Sequence, residues 1–252
     1  MTGDLAAAYR SGAQRARVVT ESWGESNLYC PNCSSPKLTW LEPGHPASDY
    51  SCPACGFWYQ LKSQKSRIGD SITDGAYAAM MNAIHHDEMP SLYFLHYDLA
   101  SWSVKNLLLV PSFAFPPSAI IKRNPTTPKG RSKPWIGCNF ALSRIPGSAR
   151  IPVVNEGAIS PPAKVREQYQ LVRKQVEGLT VKQRGWQLDV LRVIQSLGQK
   201  EFSTSDAYAF ERELEQLHPE NRNVRAKIRQ QLQELRDRNV LLHIDRNRWR
   251  LP

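Results

Sequence analysis

The stretch that decides the fold reads CPNC at residues 30–33 and CPAC at residues 52–55, followed closely by QLKS at residues 60–63. Two CxxC motifs separated by eighteen residues have the spacing of a zinc site in which each motif supplies two thiolates to one tetrahedral ion. Four thiolates leave no open position for a substrate, so the predicted ion is structural. Two disulfides, or four buried cysteines without a metal, are the alternative interpretations. The predicted zinc ligands are Cys30, Cys33, Cys52 and Cys55.

An acidic residue and a short polar strand flank the second CxxC motif. Asp49 precedes it, and Gln60 and Lys62 follow it. Residues two apart in a strand point the same way, so Gln60 and Lys62 are expected to share one face while Leu61 points into the core. An acid followed by an acceptor-x-Lys strand is the outline of a PD-(D/E)xK nuclease centre. Because this outline also arises by chance, it needs support from the rest of the chain.

The charge of the chain indicates a polyanionic partner. The formal net charge of the 252 residues is +10 and the isoelectric point is about 9.5. No Asp or Glu occurs between Asp98 and Glu156, while basic residues recur there, among them Lys129, Arg131 and Lys133. A second basic segment runs from Glu220 to the end of the chain. Two basic surfaces fit a duplex better than a small anion, although a merely solvated basic protein is the alternative.

Helix and strand patterns interleave over the first 178 residues. Periodicity predicts helices over residues 3–23 and 70–86, and strands over residues 91–97, 104–111 and 150–155. A helix is also expected over the linker after Pro161-Pro162. Cys138 is expected to be a reduced core residue. Glu21 either caps or packs locally, or lies near the predicted centre. No apolar run approaches the ~20 residues of a membrane span, and the N-terminus lacks a signal-peptide core.

The last 74 residues have a different pattern, which predicts a winged helix-turn-helix. Three helices are expected over residues 181–197, 205–217 and 222–238, followed by a strand pair. In the third helix Val224, Ile228, Leu232 and Leu235 form an apolar stripe. The alternatives are a helical bundle or a protein-binding winged helix. The residues predicted to contact DNA here are Arg222, Asn223, Arg225, Arg229, Gln230, Gln233, Arg246 and Arg248.

The order of motifs resembles that of the DpnI family of methyl-directed restriction endonucleases. The motifs that carry this resemblance are ARVVTESW, YCPNC, ASDYSCPAC, QLKSQK, ITDGAYAAMM, WIGCN and KIRQQLQELRD, which extend over nearly the whole chain. The resemblance implies an α/β (α+β) fold, in which a PD-(D/E)xK core with a central mixed sheet and an inserted zinc site spans residues 1–178. A winged-helix domain would follow at residues 179–252.

The resemblance also implies a type II site-specific deoxyribonuclease. Such an enzyme acts in the bacterial cytoplasm on duplex DNA whose GATC sites carry N6-methyladenine. The catalytic residues would be Asp49, Gln60 and Lys62, and Mg²⁺ would be held by Asp49, Gln60 and the Leu61 carbonyl. This chain has Gln60 where the family pattern has glutamate. A non-catalytic methyl-DNA-binding protein or regulator is therefore the alternative function.

Two further expectations concern the substrate and the assembly. Trp135 either touches the DNA, where its wide ring would meet the methyl group, or is a core tryptophan. No membrane partner is expected. The sequence leaves the oligomeric state open, and we expect a monomer in solution.

Overall fold

The computed structural model describes residues 1, 3–42, 48–127 and 134–252. These residues form two compact units, and each is interleaved in sequence. The first unit comprises Met1–Asp70, Glu88–Ser112 and Ala149–Gln170. The second comprises Ser71–Asp87, Phe113–Ser148 and Leu171–Pro252. In the described parts of the chain, no helix has the length and apolar character that a membrane crossing requires.

The first unit is built on a seven-stranded sheet in which one pair is parallel. Its strands are β1 (Thr39–Trp40), β2 (Tyr50–Ser51), β3 (Trp58–Gln64), β5 (Ser91–Tyr97), β6 (Val104–Val110), β9 (Ile151–Asn155) and β10 (Ala158–Ile159), in the order β1-β2-β3-β5-β6-β9-β10. Strand β3 pairs in parallel with β5, and the other pairs are antiparallel. Five consecutive residues of β5, 91–95, are buried, as expected for a strand covered on both faces.

Two helices accompany this sheet, α1 (Gly12–Asn27) and α3 (Pro162–Val176). The predicted helix over residues 3–23 is wrong at its start, because residues Gly3–Ala6 form a separate 3-10 turn. Leu5 and Tyr9 are 42% and 39% exposed, so no buried stripe extends the helix back to them. The helix predicted after Pro161-Pro162 is confirmed.

The second unit contains two small sheets. In the first, β4 (Ser71–Ala76), β8 (Gly137–Ala141) and β7 (Ile120–Lys122) lie in the order β4-β8-β7, and α2 (Tyr77–His85) contacts all three strands. The helix predicted over residues 70–86 is therefore confirmed only for Tyr77–His85, because Ser71–Ala76 forms strand β4. Ile72 and Thr73 are β-branched and pair with β8, which supplies backbone hydrogen bonds that a local helical pattern does not reveal.

The winged helix-turn-helix completes the second unit. Its elements are α4 (Val181–Ser196), β11 (Glu201–Ser203), α5 (Thr204–Tyr208), α6 (Glu211–Leu217), α7 (Val224–Asp237), β12 (Leu242–Asp245) and β13 (Arg248–Arg250), with the strands in the order β11-β13-β12. The apolar stripe predicted for the third helix is confirmed, because all four of its residues are at most 3% exposed. Together with Trp186 and Trp249 these residues form the hydrophobic core of this domain.

Two details of the winged helix differ from the predictions. The second predicted helix is split into α5 and α6 at Ala209–Phe210. At the start of α5, Ser203 and Asp206 form a reciprocal capping box. Strand β11 escapes sequence analysis because it has three residues and depends on pairing with β13, which lies 45 residues further on.

Buried polar contacts connect the winged helix to the small β4-β8-β7 sheet within the second unit. Arg184 on α4 is buried and pairs with Asp87 at the end of α2. Asp189, which is fully buried, accepts hydrogen bonds from Ser118 at 2.6 Å and contacts the His218 ring at 2.9 Å. Because unpaired buried charges are costly, these bonds stabilise the placement of α4 on its neighbours.

Candidate functional site

Asp49 lies at the strand pair that was predicted to carry the chemistry. The antiparallel register Tyr50↔Tyr59 between β2 and β3 places Asp49 opposite Gln60. The Asp49 backbone N–H donates to the Tyr59 carbonyl at 2.9 Å, and the Leu61 N–H donates to Asp49 Oδ2 at 2.8 Å. Directly opposite residues project from the same face of a sheet. Asp49, Gln60 and Lys62 therefore share one face. Residue spacing predicted this for Gln60 and Lys62, and the strand register adds Asp49.

The Asp49 carboxyl group has a perturbed pKa. Burial raises this pKa, and the hydrogen bond from the Leu61 N–H opposes the rise. The negative charge of Glu21 raises the pKa further, whereas the positive charges of Lys62 and Arg17 lower it. An acid held near both signs of charge in a partly buried position is typical of a functional centre.

Glu21 joins this centre from helix α1. Its backbone carbonyl accepts a hydrogen bond from Tyr50 at 2.8 Å, and its carboxylate pairs with Arg17 at 2.7 Å. Thr20 and Ser63 hydroxyls lie 3.0 Å apart and hold α1 against β3. Of the two roles considered for Glu21, the structure favours the one near the centre, because its charge acts on Asp49.

Gln60 has the property expected of a metal ligand. Its Oε1 atom is buried and has no hydrogen-bond partner among the residues that the structure describes. A buried acceptor without a partner is costly, so this oxygen is available to bind a cation or a hydrogen-bond donor. Carboxylate and carbonyl oxygens are the ligands that Mg²⁺ prefers, and Asp49, Gln60 and the Leu61 carbonyl supply this set. The expectation that Leu61 points into the core is only partly met, since Leu61 is half-buried and Tyr59 is the fully buried residue of β3.

The four predicted zinc ligands come together in the first unit. The sulfur atoms of Cys30, Cys33, Cys52 and Cys55 all lie within 4.8 Å of one another. The Cys30–Cys55 and Cys33–Cys52 sulfur distances are 3.6 and 3.5 Å, far longer than a disulfide bond, and all four cysteines are free. The disulfide alternative therefore does not describe this structure, and the cluster is suited to a tetrahedral zinc ion.

Backbone hydrogen bonds favour the thiolate form of Cys52, which is the form that binds a metal. Burial alone would raise the pKa of the Cys52 thiol, but the backbone N–H groups of Cys55 and Ala54 bring it down to about 6. Burial raises the pKa of the Cys30 thiol, whose sulfur lies 3.1 Å from the Tyr59 hydroxyl. Since Tyr59 belongs to β3, the cysteine cluster is attached directly to the strand that carries Gln60 and Lys62.

Helix α3 holds the first CxxC motif in place. Arg166 donates to the carbonyl oxygens of Cys30 and Ser35, both at 3.0 Å, and Gln170 donates to the Asn32 carbonyl at 2.8 Å. The guanidinium of Arg166 also lies over the Tyr29 ring at 5.1 Å. These bonds occupy backbone acceptors of the motif and leave the cysteine sulfurs directed to one another.

Trp135 lies at the partly exposed face of the small β4-β8-β7 sheet. Its side chain is 45% exposed, so the alternative of a core tryptophan is wrong. The Trp135 ring covers Gly137, where a Cβ atom would be 2.7 Å from the ring. The Thr126 N–H donates to the Trp135 carbonyl at 2.9 Å, and the Trp135 N–H donates to the Thr126 hydroxyl at 3.1 Å. Cys138, which points to the opposite face, forms no disulfide and is fully buried as predicted.

The residues of helix α7 that were predicted to contact DNA are exposed, but some of them are already bonded to other side chains. Arg225 is paired with Glu211 at 2.7 Å and stacks on Tyr208, and Gln230 is bonded to both Lys227 and Glu234. Arg248 of the wing is paired with Glu201 at 3.4 Å. A basic cleft between α7 and the wing is lined by other predicted residues, namely Arg229, Gln233 and Arg246.

The remaining predicted DNA contacts divide into two sets. Arg222 and Asn223 are exposed at the N-terminal end of α7. The residues predicted in the basic loop, Lys129, Arg131 and Lys133, lie outside the described residues. Sequence analysis considered a position for Glu21 near the centre, but it did not single out the buried amide of Asn139. The WIGCN motif was the available signal for Asn139, but a motif does not reveal whether an amide has a partner.

Two protein-family models match this chain. The DpnI family model, described as the Dam-replacing family, matches residues 1–177. A second model, described as the Dam-replacing HTH domain, matches residues 182–250. The first match alone spans more than half of the chain and includes the aspartate, the strand and the four cysteines. This protein therefore belongs to the DpnI, or Dam-replacing, family.

Proposed function

We propose that this protein is a Mg²⁺-dependent type II endonuclease that cleaves duplex DNA at GATC sites whose adenine is N6-methylated. The observation that carries the proposal is the strand pair on which Asp49 lies opposite the unpartnered buried oxygen of Gln60, with Lys62 on the same face. Family membership supports methyl-directed DNA cleavage. The GATC sequence is taken from the resemblance to the family and not from the site geometry.

The proposed chemistry assigns a role to each residue of the centre. Asp49, Gln60 and the Leu61 carbonyl would hold Mg²⁺, which would supply stabilisation of charge on the scissile phosphate and a lowered pKa of a bound water. Lys62 orients the attacking water and stabilises the added negative charge. Glu21 acts through Asp49, because its charge makes a cation beside Asp49 more favourable.

We propose that the two parts of the chain have different functions. Residues 1–178 form the nuclease domain with its structural zinc site, and residues 179–252 form the winged-helix domain that binds DNA. The basic cleft between α7 and the wing, lined by Arg229, Gln233 and Arg246, supports a DNA-reading role. Arginine and glutamine side chains suit the major-groove edges of guanine and adenine.

The deciding experiment is a side-by-side digestion of plasmid with and without adenine methylation at GATC. Wild-type protein with Mg²⁺ is expected to cut only the methylated plasmid, and omission of Mg²⁺ is expected to stop the reaction. Cutting of both plasmids would contradict the methyl dependence. Binding of methylated DNA without cleavage across a range of Mg²⁺ and Mn²⁺ concentrations would identify a regulator with an inactive centre.

Gln60→Glu is expected to lower the Mg²⁺ concentration that gives half-maximal cleavage rate. A carboxylate is a stronger Mg²⁺ ligand than an amide, and the substitution restores the residue of the family pattern. Gln64→Glu is the matched control, because it adds the same charge further along β3. Titration of cleavage rate against Mg²⁺ measures both. An unchanged midpoint for Gln60→Glu would show that this side chain does not reach the metal.

Trp135→Ala is expected to reduce the preference for methylated DNA without lowering thermal stability. Burying one methyl group contributes roughly 0.8 kcal/mol, which is about a fourfold preference for each methyl group that the ring covers. Trp58→Ala is the control, since Trp58 is similarly exposed at 49% but lies in the first unit. Competition binding with methylated and unmethylated duplexes measures the preference. A destabilised variant that keeps its preference would assign Trp135 to packing.

Arg229→Ala is expected to weaken binding to the methylated site more than Gln230→Ala does. Loss of a bidentate base contact costs ~1–3 kcal/mol. Arg229 lines the basic cleft, whereas both amide atoms of Gln230 already bond to Lys227 and Glu234. The full-length variants are compared by equilibrium binding at several salt concentrations. Equal affinities for GATC and unrelated duplexes in the wild type would rule out base reading by this helix.

A further inference from the structure

Asn139 carries a buried polar atom that the fold does not use. It lies in the middle of β8, directly opposite Thr73 on β4 and Ile121 on β7. Its Oδ1 atom is buried and has no hydrogen-bond partner within the described parts of the chain. Neither Thr73 nor Ile121 donates a hydrogen bond to this oxygen. A buried acceptor without a donor destabilises the folded protein, and a ligand that donates a hydrogen bond to it relieves this cost.

The face on which Asn139 lies is only partly covered. Residues of β8 alternate, so Cys138 and Phe140, both fully buried, point to the opposite face. On the Asn139 face, Thr73 and Arg123 are exposed and Ile121 is half-buried. The half-exposed ring of Trp135 covers Gly137, which is the next position along this same face. The Asn139 side chain thus lies two residues along β8 from Gly137, which is covered by the partly exposed ring of Trp135.

The chemistry of a methylated GATC site restricts which donor can reach this acceptor. In a Watson–Crick pair, N6-methyladenine keeps one N6 hydrogen, which bonds to thymine, while the methyl group replaces the hydrogen that faces the major groove. Guanine and thymine present only acceptors and a methyl group there. The N4 amino group of cytosine is then the one base donor left in the major groove of the fully methylated site.

We propose that Asn139 is a specificity-determining residue whose Oδ1 accepts a hydrogen bond from the N4 amino group of the GATC cytosine. This inference rests on the proposed function. Each cytosine of the site lies one base step from an adenine–thymine pair. Trp135 over Gly137 and Asn139 beside it therefore read neighbouring base pairs, the first by contact with the methyl group and the second by accepting a hydrogen.

The test is a double-mutant cycle between Asn139 and the cytosine hydrogen, with full-length protein and Ca²⁺ in place of Mg²⁺. Methylated GATC duplexes contain either cytosine or N4-methylcytosine, which keeps the pairing hydrogen and loses the one in the major groove. Wild type is expected to bind the N4-methylcytosine duplex about tenfold more weakly. Asn139→Ala is expected to bind the two duplexes within about twofold of each other, because the acceptor is gone. Asn139→Asp and the neighbouring control Thr73→Ala are expected to retain the penalty.

Each of the other possible results of this experiment contradicts a specific part of the inference. If wild type shows no penalty, or if the penalty persists in Asn139→Ala, Asn139 does not read the cytosine. The melting temperature of Asn139→Ala is expected to equal or exceed that of wild type, because the substitution removes an unpartnered buried atom. A variant that fails to fold would make the amide a structural group and also overturn the inference. If wild type does not prefer methylated over unmethylated GATC, the proposed function itself fails.

Discussion

Asp49→Asn is expected to reduce cleavage of methylated plasmid by on the order of 10³-fold or more while leaving DNA affinity nearly unchanged. A bound metal contributes several kcal/mol of transition-state stabilisation, and each 1.36 kcal/mol corresponds to a factor of ten in rate. Binding depends on the basic surfaces, so it does not require the carboxylate. Lys62→Ala is expected to have a comparable effect on rate. Single-turnover cleavage and equilibrium binding, measured on the same variants, separate the two quantities.

The same substitution is expected to stabilise the protein when divalent cations are absent. Burial and the charge of Glu21 raise the pKa of Asp49 in the folded protein, so the ionised carboxylate costs stability as the pH rises through that pKa. Asp49→Asn removes this cost and should melt at a higher temperature at neutral pH. The difference should narrow as the pH is lowered and wild-type Asp49 takes up its proton.

Two controls test the role of Asp49, namely the addition of Mg²⁺ and the removal of a carboxylate elsewhere on helix α1. Mg²⁺ is expected to raise the melting temperature of wild type and not that of Asp49→Asn. Glu25→Gln removes an exposed carboxylate from the same helix as Glu21 and should change neither rate nor stability appreciably. An Asp49→Asn protein that cleaves at the wild-type rate would show that the centre lies elsewhere.

Cys52→Ser is expected to abolish stoichiometric zinc binding and to lower the melting temperature by about 10 °C or more. Structural zinc binding is largely folding free energy, and losing ~4 kcal/mol of it shifts the melting temperature of a chain of this size by that amount. Cys52 is buried, and its thiol has a pKa of about 6 because backbone N–H groups of Cys55 and Ala54 stabilise the thiolate. Activity should fall together with stability, since Tyr59 connects Cys30 to strand β3, which carries Gln60 and Lys62.

Cys138→Ser is the matched control for the zinc prediction. Cys138 is also buried and reduced, but it lies outside the four-cysteine cluster and contacts the Gly75 carbonyl at 3.5 Å. Its variant is expected to retain one zinc per chain and cleavage activity. Zinc content measured by atomic emission, with thermal unfolding, compares the two variants. A folded and fully active Cys52→Ser protein without zinc would refute the structural role.

Local sequence spacing was sufficient for the features whose partners are close along the chain. The two CxxC motifs predicted a four-thiolate cluster, because the geometry of each motif directs both of its sulfurs to one point. The Gln60–Lys62 alternation placed two polar side chains on one face of β3, and strand geometry alone requires this. The apolar stripe from Val224 to Leu235 predicted the buried side of α7, because helical periodicity decides it.

Features that depend on distant pairing were decided only by the tertiary structure. Strand β4 was predicted as helix, because its partner β8 lies more than 60 residues away and no local pattern records that pairing. Glu21 acts on Asp49 only because Tyr50 and Ser63 hold α1 against the β2–β3 pair. Packing of distant segments likewise leaves the buried Oε1 of Gln60 and Oδ1 of Asn139 without a hydrogen-bond partner among the residues that the structure describes. Residue type determines that an amide can accept a hydrogen bond, but the packing of chain segments far apart in sequence determines whether a donor is within reach.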